Sequence, residues 1–330
     1  MKKSNGPGEV AAATEEQAAI PVGVSSCLLG QKVRFDGGHK RNALVTDVLA
    51  RYFRYVPACP ELAIGLGAPR PALRLSGRAD GPRLVGARNP GLDVTDTMAR
   101  FARERIAALE AISGYILKSG SPSCGMERVK VYADSGMPER SGVGLFAREL
   151  MERMPWLPVE EEGRLHDPLL RENFIERVFV YDHWRRTVAP ADTPAALVRF
   201  HSEHKFIILS RGAHLLRELG RLVAQAGCGP LETLKDAYLT RLMDALRSLS
   251  SRGRHANVVQ HLAGFIKQSL SGDDKAEMQT VIDAYRHGTV PLVVPLTLLR
   301  HHLRRAPQPY VLAQRYLQPY PEELGLRNAI

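Results

Sequence analysis

The chain has 330 residues, which favours two domains, and its content of 44% hydrophobic and 24% charged residues is typical of soluble globular proteins. No apolar run reaches the roughly 20 residues that a membrane-spanning helix needs. Residues 1–19 lack the apolar core of a signal peptide, so we expect a disordered tail on a cytoplasmic protein that does not enter a membrane. The net charge of +10 favours polyanionic partners, and four widely separated cysteines exclude a disulfide scaffold.

Residues 20–156 alternate short β-rich runs with amphipathic stretches of helical period. Strands that alternate with helices of this length predict an α/β domain with a mostly parallel, Rossmann-like sheet. Strands are predicted at residues 20–26, 53–58, 73–76, 83–87, 114–119 and 129–132, and helices at residues 42–52, 93–110 and 142–154.

The rest of the chain is mainly helical in period. An aromatic-rich helix is predicted at residues 167–186, packed on the first domain, and the Pro-containing segment 187–194 is typical of a linker. Beyond it strand signals nearly vanish, which predicts an all-α helical bundle. We therefore expect an α/β domain at residues 20–190 and a helical domain at residues 191–330. From residue 197 to the end, 18 Lys and Arg stand against 11 Asp and Glu, so this half is basic.

Three cysteines directly follow predicted strands or lie in the loop after one: Cys27, Cys59 and Cys124. Because the carboxyl ends of parallel strands share one edge of a sheet, these thiols are expected to converge. Three converging thiolates suit an iron–sulfur cluster and would leave one iron of a cubane open to substrate. Two alternatives remain: three buried apolar cysteines, and a zinc site, which the lack of a C-x-x-C pair disfavours. Cys228 has no cysteine partner nearby and is interpreted as incidental.

Three sequence blocks carry a family resemblance: VSSCLLGQKVRFDGGHKRN, PACPELAIGLGAPRPALRL and LKSGSPSCG. They resemble the signature blocks of the thiouracil desulfidase family over roughly residues 20–160. The resemblance implies a 4Fe-4S cluster bound by Cys27, Cys59 and Cys124. The second half is similar to a helical domain found fused behind such domains, which implies a monomeric enzyme that removes sulfur from 4-thiouridine in tRNA, with the helical domain holding RNA.

Replacing C=S by C=O on a pyrimidine requires a soft Lewis acid for sulfur and an attacking water, with no net redox change. Glu61, two residues after Cys59, is the candidate general base, and Ser121 is a candidate hydrogen-bonding partner of the base or water. Each has a structural alternative, because acids favour helix starts and Ser before Pro favours turns. Asp36, Gly37 and Lys118 are candidate substrate contacts, although Asp-Gly-Gly is also a typical tight turn.

Several cationic or titratable residues are candidates for RNA phosphate contacts, although a solvated surface is the usual fate of such residues. They are His39, Lys40, Arg41, His201, His204, Lys205, Arg211, Lys275, Arg300, Arg304 and Arg305. Two other functions stay open at this point. One is desulfuration of free thiouracil or a thiolated nucleoside, and the other is a non-enzymatic iron–sulfur sensor that binds nucleic acid.

Overall fold

The computed structural model describes residues 19–109, 111–133 and 137–330. The tail predicted for residues 1–19 thus lies outside the described residues except for its last residue, as does Glu110 at the predicted end of a helix. The strands are β1 (Ile20–Ser25), β2 (Phe53–Ala58), β3 (Leu73–Ser76), β4 (Arg83–Gly86), β5 (Tyr115–Leu117), β6 (Val129–Tyr132), β7 (Pro138–Gly142) and β8 (Val159–Glu161). The α-helices are α1 (Pro60–Ala63), α2 (Thr95–Ala107), α3 (Leu145–Arg153), α4 (Pro168–Thr187), α5 (Pro194–Arg211), α6 (Ala213–Ala224), α7 (Leu231–Leu246), α8 (Arg252–Gly264), α9 (Gly272–Arg286), α10 (Val293–Arg305) and α11 (Pro309–Leu312).

The first half contains a four-stranded parallel sheet in the order β2-β1-β5-β8. Its central strand β1 is almost wholly buried, as expected for an apolar strand covered on both faces. Ser25 at the end of β1 pairs in register with Ala58 at the end of β2. The ends of these two neighbouring strands therefore open onto the same edge, as the sequence predicts for a parallel sheet.

A second, smaller sheet has mixed strand directions, in the order β4-β3-β6-β7. The predicted hairpin of β3 and β4 is confirmed as an antiparallel pair, while β3 runs parallel to β6. Strand β7 has the sequence PERSG and is exposed at four of its five positions, so it lacks the apolar alternation from which a strand is predicted. The short strand β8 is likewise not predicted.

The helix predicted at residues 42–52 takes another form. The segment Leu44–Val48 is a π-helical turn, and Leu49–Arg51 is a 3-10 turn. The apolar residues Val45 and Leu49 are buried at a spacing of four, which satisfies a helical pattern without a regular α-helix. The other predicted helices of the first half form with shorter bounds, α2 at Thr95–Ala107 and α3 at Leu145–Arg153.

Helix α4 is buried on several sides and connects the two halves. Asp167 caps its start, since its side chain accepts hydrogen bonds from the backbone N–H groups of Leu169 (2.8 Å) and Leu170 (3.1 Å). Phe174 and Val178 belong to the same apolar cluster as strand β1. The helix also contacts α5 and α7, so it packs on the α/β half, as predicted, and on the helical half as well.

The second half is all-α in its regular elements, which confirms the fold class predicted from the sequence. A capping box at Ser271 and Asp274 begins α9, and Ser251 caps α8. None of the described helices is long and apolar enough to cross a bilayer.

Candidate active site

The three strand-end cysteines surround one cavity of about 430 Å³ at the carboxyl edge of the parallel sheet. Cys27 lies in a 3-10 turn (Ser26–Leu29) that follows β1, and Cys59 lies between β2 and α1. Cys124 lies in the loop after β5. Cys27 and Cys124 are buried and Cys59 is half-buried, and all three are free thiols. The convergence predicted from the strand ends is therefore present.

The loop that carries Cys124 is held by short hydrogen bonds and by a close backbone approach. The hydroxyl of Ser121 accepts from the backbone N–H groups of Ser123 (3.2 Å) and Cys124 (3.1 Å), and the N–H of Gly125 donates to the carbonyl of Ser121 (2.8 Å). A Cβ added at Gly144 would lie 2.5 Å from the carbonyl carbon of Ser123 and 2.8 Å from the backbone N of Cys124. Only glycine at position 144 lets the start of α3 approach this loop.

Glu61, the candidate general base, lines the same cavity. Its Oε2 accepts hydrogen bonds from Nε (2.9 Å) and Nη2 (2.7 Å) of Arg70, and its Oε1 accepts from the hydroxyl of Ser123 (2.8 Å). A charge-assisted contact of this kind both orients the carboxylate and favours its ionised form. Ser121 also lines the cavity, where its hydroxyl serves the turn described above, so the turn interpretation of this serine is present in the structure.

Burial opposes ionisation of the thiols in the protein without a bound metal. It raises the pKa of Cys124, and the nearby Glu61 carboxylate adds to that rise. It also raises the pKa of Cys27, against the opposing effect of Arg34. Buried thiols of this kind become thiolates when a metal centre supplies compensating positive charge.

The donor set fits an iron–sulfur cluster better than a single ion. Three soft sulfur ligands border one space, while the cavity's one carboxylate, Glu61, is already engaged by Arg70 and Ser123. No group of three His, Cys, Asp or Glu side chains among the described residues is arranged to hold one metal ion, which disfavours the zinc alternative.

The three candidate substrate contacts divide into two groups. Lys118 lines the cavity, where its Nζ donates to the carbonyl (3.0 Å) and hydroxyl (2.9 Å) oxygens of Ser119 and pairs with Glu162. Asp36 and Gly37 do not line it, although their neighbours Arg34 and Phe35 do. Gly37 has φ +73° and the Asp36 carboxylate accepts from the N–H of Gly38 (3.0 Å), which is the tight-turn alternative.

The basic segment after this turn is exposed. Lys40 borders the cavity, and its backbone N–H donates to the carbonyl of Cys27 (2.9 Å). His39 accepts from the backbone N–H of Arg41 (3.1 Å), and the Arg41 guanidinium pairs with Asp47. These residues therefore lie where a ligand of the cavity can reach them.

Two of the RNA candidates in the helical half are buried. His204 is 2% exposed, stacks on Phe200 with ring centroids 3.9 Å apart, and donates from Nδ1 to the Phe200 carbonyl (2.8 Å). Arg211 is also 2% exposed and pairs with buried Glu176. The prediction of direct RNA contact is wrong for both, because α5 is covered by its neighbours on the side that carries them.

The remaining helical candidates reach the surface to different degrees. His201 is half-buried beside the Tyr238 hydroxyl (2.9 Å), and Lys205 is half-buried near the Tyr310 ring. Arg300 pairs with Glu322 and shares a cavity of about 670 Å³ with Arg304. Lys275, Arg304 and Arg305 are exposed.

Sequence reasoning missed the residues that position Glu61. Arg70 and Ser123 are 9 and 62 residues away from it along the chain. Arg70 does lie in the second signature block, PACPELAIGLGAPRPALRL, and an arginine in a Gly- and Pro-rich loop after an acidic residue was an available signal.

Two family models match different parts of the chain. Residues 22–162 match the family described as 2-thiouracil desulfurase, and residues 205–321 match a protein family of unknown function, DUF1722. The protein YbgA of Escherichia coli (strain K12) is 27% identical over 154 residues, which are 46% of this chain and 91% of that protein. A solved structure described as the 4Fe-4S-dependent thiouracil desulfidase TudS is 31% identical, covers 45% of this chain and 94% of its own, and has a TM-score of 0.37. These matches confirm the resemblance read from the three blocks. Residues 22–162 therefore form a domain of the 2-thiouracil desulfurase family, whose reaction cleaves a carbon–sulfur bond, joined to a helical DUF1722 region.

Proposed function

We propose that the chain holds a 4Fe-4S cluster on Cys27, Cys59 and Cys124 and removes sulfur from 4-thiouridine in tRNA, giving uridine and hydrogen sulfide. One observation carries the proposal: three free thiols from separate loops border a single cavity that also contains a fixed carboxylate, Glu61. The thiouracil desulfurase family match and the printed description of TudS as 4Fe-4S-dependent agree with it.

The bound cluster would supply a Lewis-acidic iron for the thiocarbonyl sulfur. The protein itself supplies a proton acceptor beside that position. Arg70 occupies Oε2 of Glu61, whereas Oε1 accepts one hydrogen bond from Ser123 and retains a second acceptor site for a water. Water attacks the ring carbon, Glu61 takes its proton, and the C–S bond breaks as the C–O bond forms. Oxidation states do not change, so no external reductant is required.

The choice of tRNA as substrate is supported by charge. Arg34, Lys40 and Lys118 border the cavity, so a base that enters it brings its own phosphates close to positive side chains. The helical half contributes further exposed cations, among them Lys275, Arg304 and Arg305. A neutral free base would gain nothing from this arrangement.

The test begins with anaerobic reconstitution of the full chain. We expect brown protein with about four irons per chain. Replacing any one of the three cysteines by Ser should remove most of the iron, while Cys228→Ser, at an exposed position outside the cavity, should retain it. A colourless, iron-free wild-type protein would refute the cluster.

The substrate is tested with the loaded enzyme. We expect the 4-thiouridine absorbance of bulk tRNA to disappear at low salt, with sulfide released in equal amount. If the enzyme desulfurates free thiouracil but leaves thiolated tRNA intact, the free base is the substrate. If it binds tRNA without releasing sulfide from either compound, the sensor alternative replaces the enzyme.

A further inference from the structure

A second cavity, of about 500 Å³, adjoins the cysteine cavity. The two share Leu73, Gly120 and Pro122 as lining residues, so a ligand can extend from one into the other. Gly120 and Pro122 belong to the loop that carries Cys124. The second cavity thus begins beside the site where the sulfur chemistry is proposed.

The lining of this second cavity, here called the basic groove, carries four cationic side chains and no acidic one. They are Arg74, Arg128, Lys130 and Arg140. None of the four forms an ion pair with any residue in the described ranges 19–109, 111–133 and 137–330. None was singled out from the sequence, because they are spread over 67 positions along the chain.

Sheet register aligns three of these cations. Lys130 on β6 is directly opposite Arg140 on β7. On the other side of β6, Leu75 pairs with Val131, which places Arg74 beside Lys130. Because side chains alternate between the faces of a strand, and Leu75 and Val131 point into the core, Arg74 and Lys130 share the opposite face. The three form a row across three strands.

Such a row is unfavourable without a partner. Like charges directly opposite each other on neighbouring strands destabilise a sheet, and here Lys130 and Arg140 are such a pair. At the end of the row Arg128 has φ +53°, a left-handed conformation that non-glycine residues rarely adopt, next to the register shift at Val129 and Lys130. The same region also holds Tyr132, whose ring lies 5.1 Å from the Arg74 guanidinium.

We propose that the basic groove binds the phosphodiester backbone of RNA next to the thiolated base. The proposal rests on the function proposed above and specifies the contact that favours a polymeric substrate over a free base. Phosphate oxygens would neutralise the row of cations, and the shared wall of Gly120 and Pro122 would direct the attached base toward the cysteines.

The experiment uses the double variant Lys130→Gln/Arg140→Gln in the full cluster-loaded chain. The matched control is Arg100→Gln/Arg103→Gln, which removes two exposed cations from α2 with the same change in net charge. Binding of a short, single-stranded oligoribonucleotide without sulfur is followed by fluorescence anisotropy at several salt concentrations. Iron content and the melting temperature report on folding, and the melting temperature of the groove variant should not fall, because a like-charge pair is removed.

For the groove variant we expect a Kd at low salt raised about tenfold and a slope of log K against log salt reduced by about 1.4, which is about 0.7 for each phosphate contact to a single strand. The control should change neither quantity as much. With turnover, the ratio of kcat/KM for thiolated RNA to that for free 4-thiouracil should fall in the groove variant.

The result that overturns the proposal is a groove variant with the Kd and salt slope of the control. If instead the groove variant loses oligonucleotide binding but the wild-type enzyme acts only on free thiouracil, the groove stands as an RNA site and the proposed tRNA substrate fails. The binding and turnover measurements therefore separate the two proposals.

Discussion

Arg70 donates two hydrogen bonds to a single oxygen of Glu61, from Nε at 2.9 Å and from Nη2 at 2.7 Å. The remaining nitrogen, Nη1, donates to the carbonyls of Val33 (2.9 Å) and Gly67 (2.7 Å). The Arg70 side chain is only 3% exposed. The guanidinium is thus fixed by the backbone on one side and fixes the carboxylate on the other, which leaves Oε1 of Glu61 on the side of Ser123.

The variant Glu61→Gln tests the carboxylate as a proton acceptor. The amide has nearly the same shape but accepts a proton far less readily, so we expect kcat to fall by roughly 10²- to 10⁴-fold. Iron content should stay at the wild-type level, because the proposed ligands are the three thiols. Glu104→Gln, on the exposed face of α2, serves as the control. A Glu61→Gln enzyme with near wild-type turnover would remove this residue from the mechanism.

The variant Arg70→Met tests the positioning contact. It leaves the Glu61 carboxylate, of which 13% is exposed, without its counter-ion, and we expect the free energy of unfolding to fall by about 2 kcal/mol. Turnover should fall while KM changes little, and Arg70→Lys should restore part of both losses. The comparison is Arg78→Met, since Arg78 forms a fully solvated pair with Asp80 at 2.9 Å and its loss should leave stability unchanged. Equal effects of the two Met variants in chemical denaturation would contradict the role given to Arg70.

The variant Gly144→Ala tests how the Cys124 loop is held. The new methyl group would overlap the backbone of Ser123 and Cys124, so the loop must move and Cys124 with it. We expect reconstituted protein to hold substantially less iron than wild type, although every proposed ligand is intact. Gly264→Ala is the matched change, because a Cβ there meets no atom within 4 Å. Full iron content in Gly144→Ala would show that the loop accommodates the methyl group.

Two buried histidines predict acid sensitivity of the helical half. Burial lowers the pKa of His204 to about 3 and that of His255 well below its ordinary value. In the unfolded chain both bind a proton below about pH 6.5, while the folded state keeps them neutral. The unfolded state then holds up to two more protons, so stability should fall as pH falls from about 6.5 toward 4, by up to about 2.7 kcal/mol per pH unit.

Urea denaturation at a series of pH values measures this slope. His204→Gln cannot take up the proton in either state, so it should reduce the slope by about 1.4 kcal/mol per pH unit, whatever its effect at pH 8. His287→Gln, at an exposed position, is the control. An unchanged slope in His204→Gln would mean that other groups cause the acid sensitivity.

Much of the candidate site was predictable because it depends on local patterns. Buried apolar runs identified β1 and β2, and the position of Cys27 and Cys59 just after them placed both thiols at one sheet edge. Local patterns failed where tertiary packing decides the outcome. Strand β7, with the exposed sequence PERSG, exists because its backbone pairs with β6, and nothing in its own side chains indicates this.

Burial of charged residues was equally hard to predict. The helical period of α5 places His204 and Arg211 on faces that a single helix would expose as readily as any other polar face. Both are buried because α4 supplies Glu176 as a partner for Arg211 and because the His183 and Phe200 rings cover His204. Partners that lie tens of residues apart leave no signal in the local sequence.

The sequence by itself determined the α/β and helical character of the two halves, the strand-end position of the three cysteines and the family of the first domain. These properties follow from periodicity and from residues close together along the chain. Only the tertiary structure decided that Arg70 binds Glu61, that Gly144 lies against the Cys124 loop, and that Arg74, Lys130 and Arg140 form one row. Contacts of this kind depend on strand register and on the packing of distant segments, which no single stretch of sequence encodes.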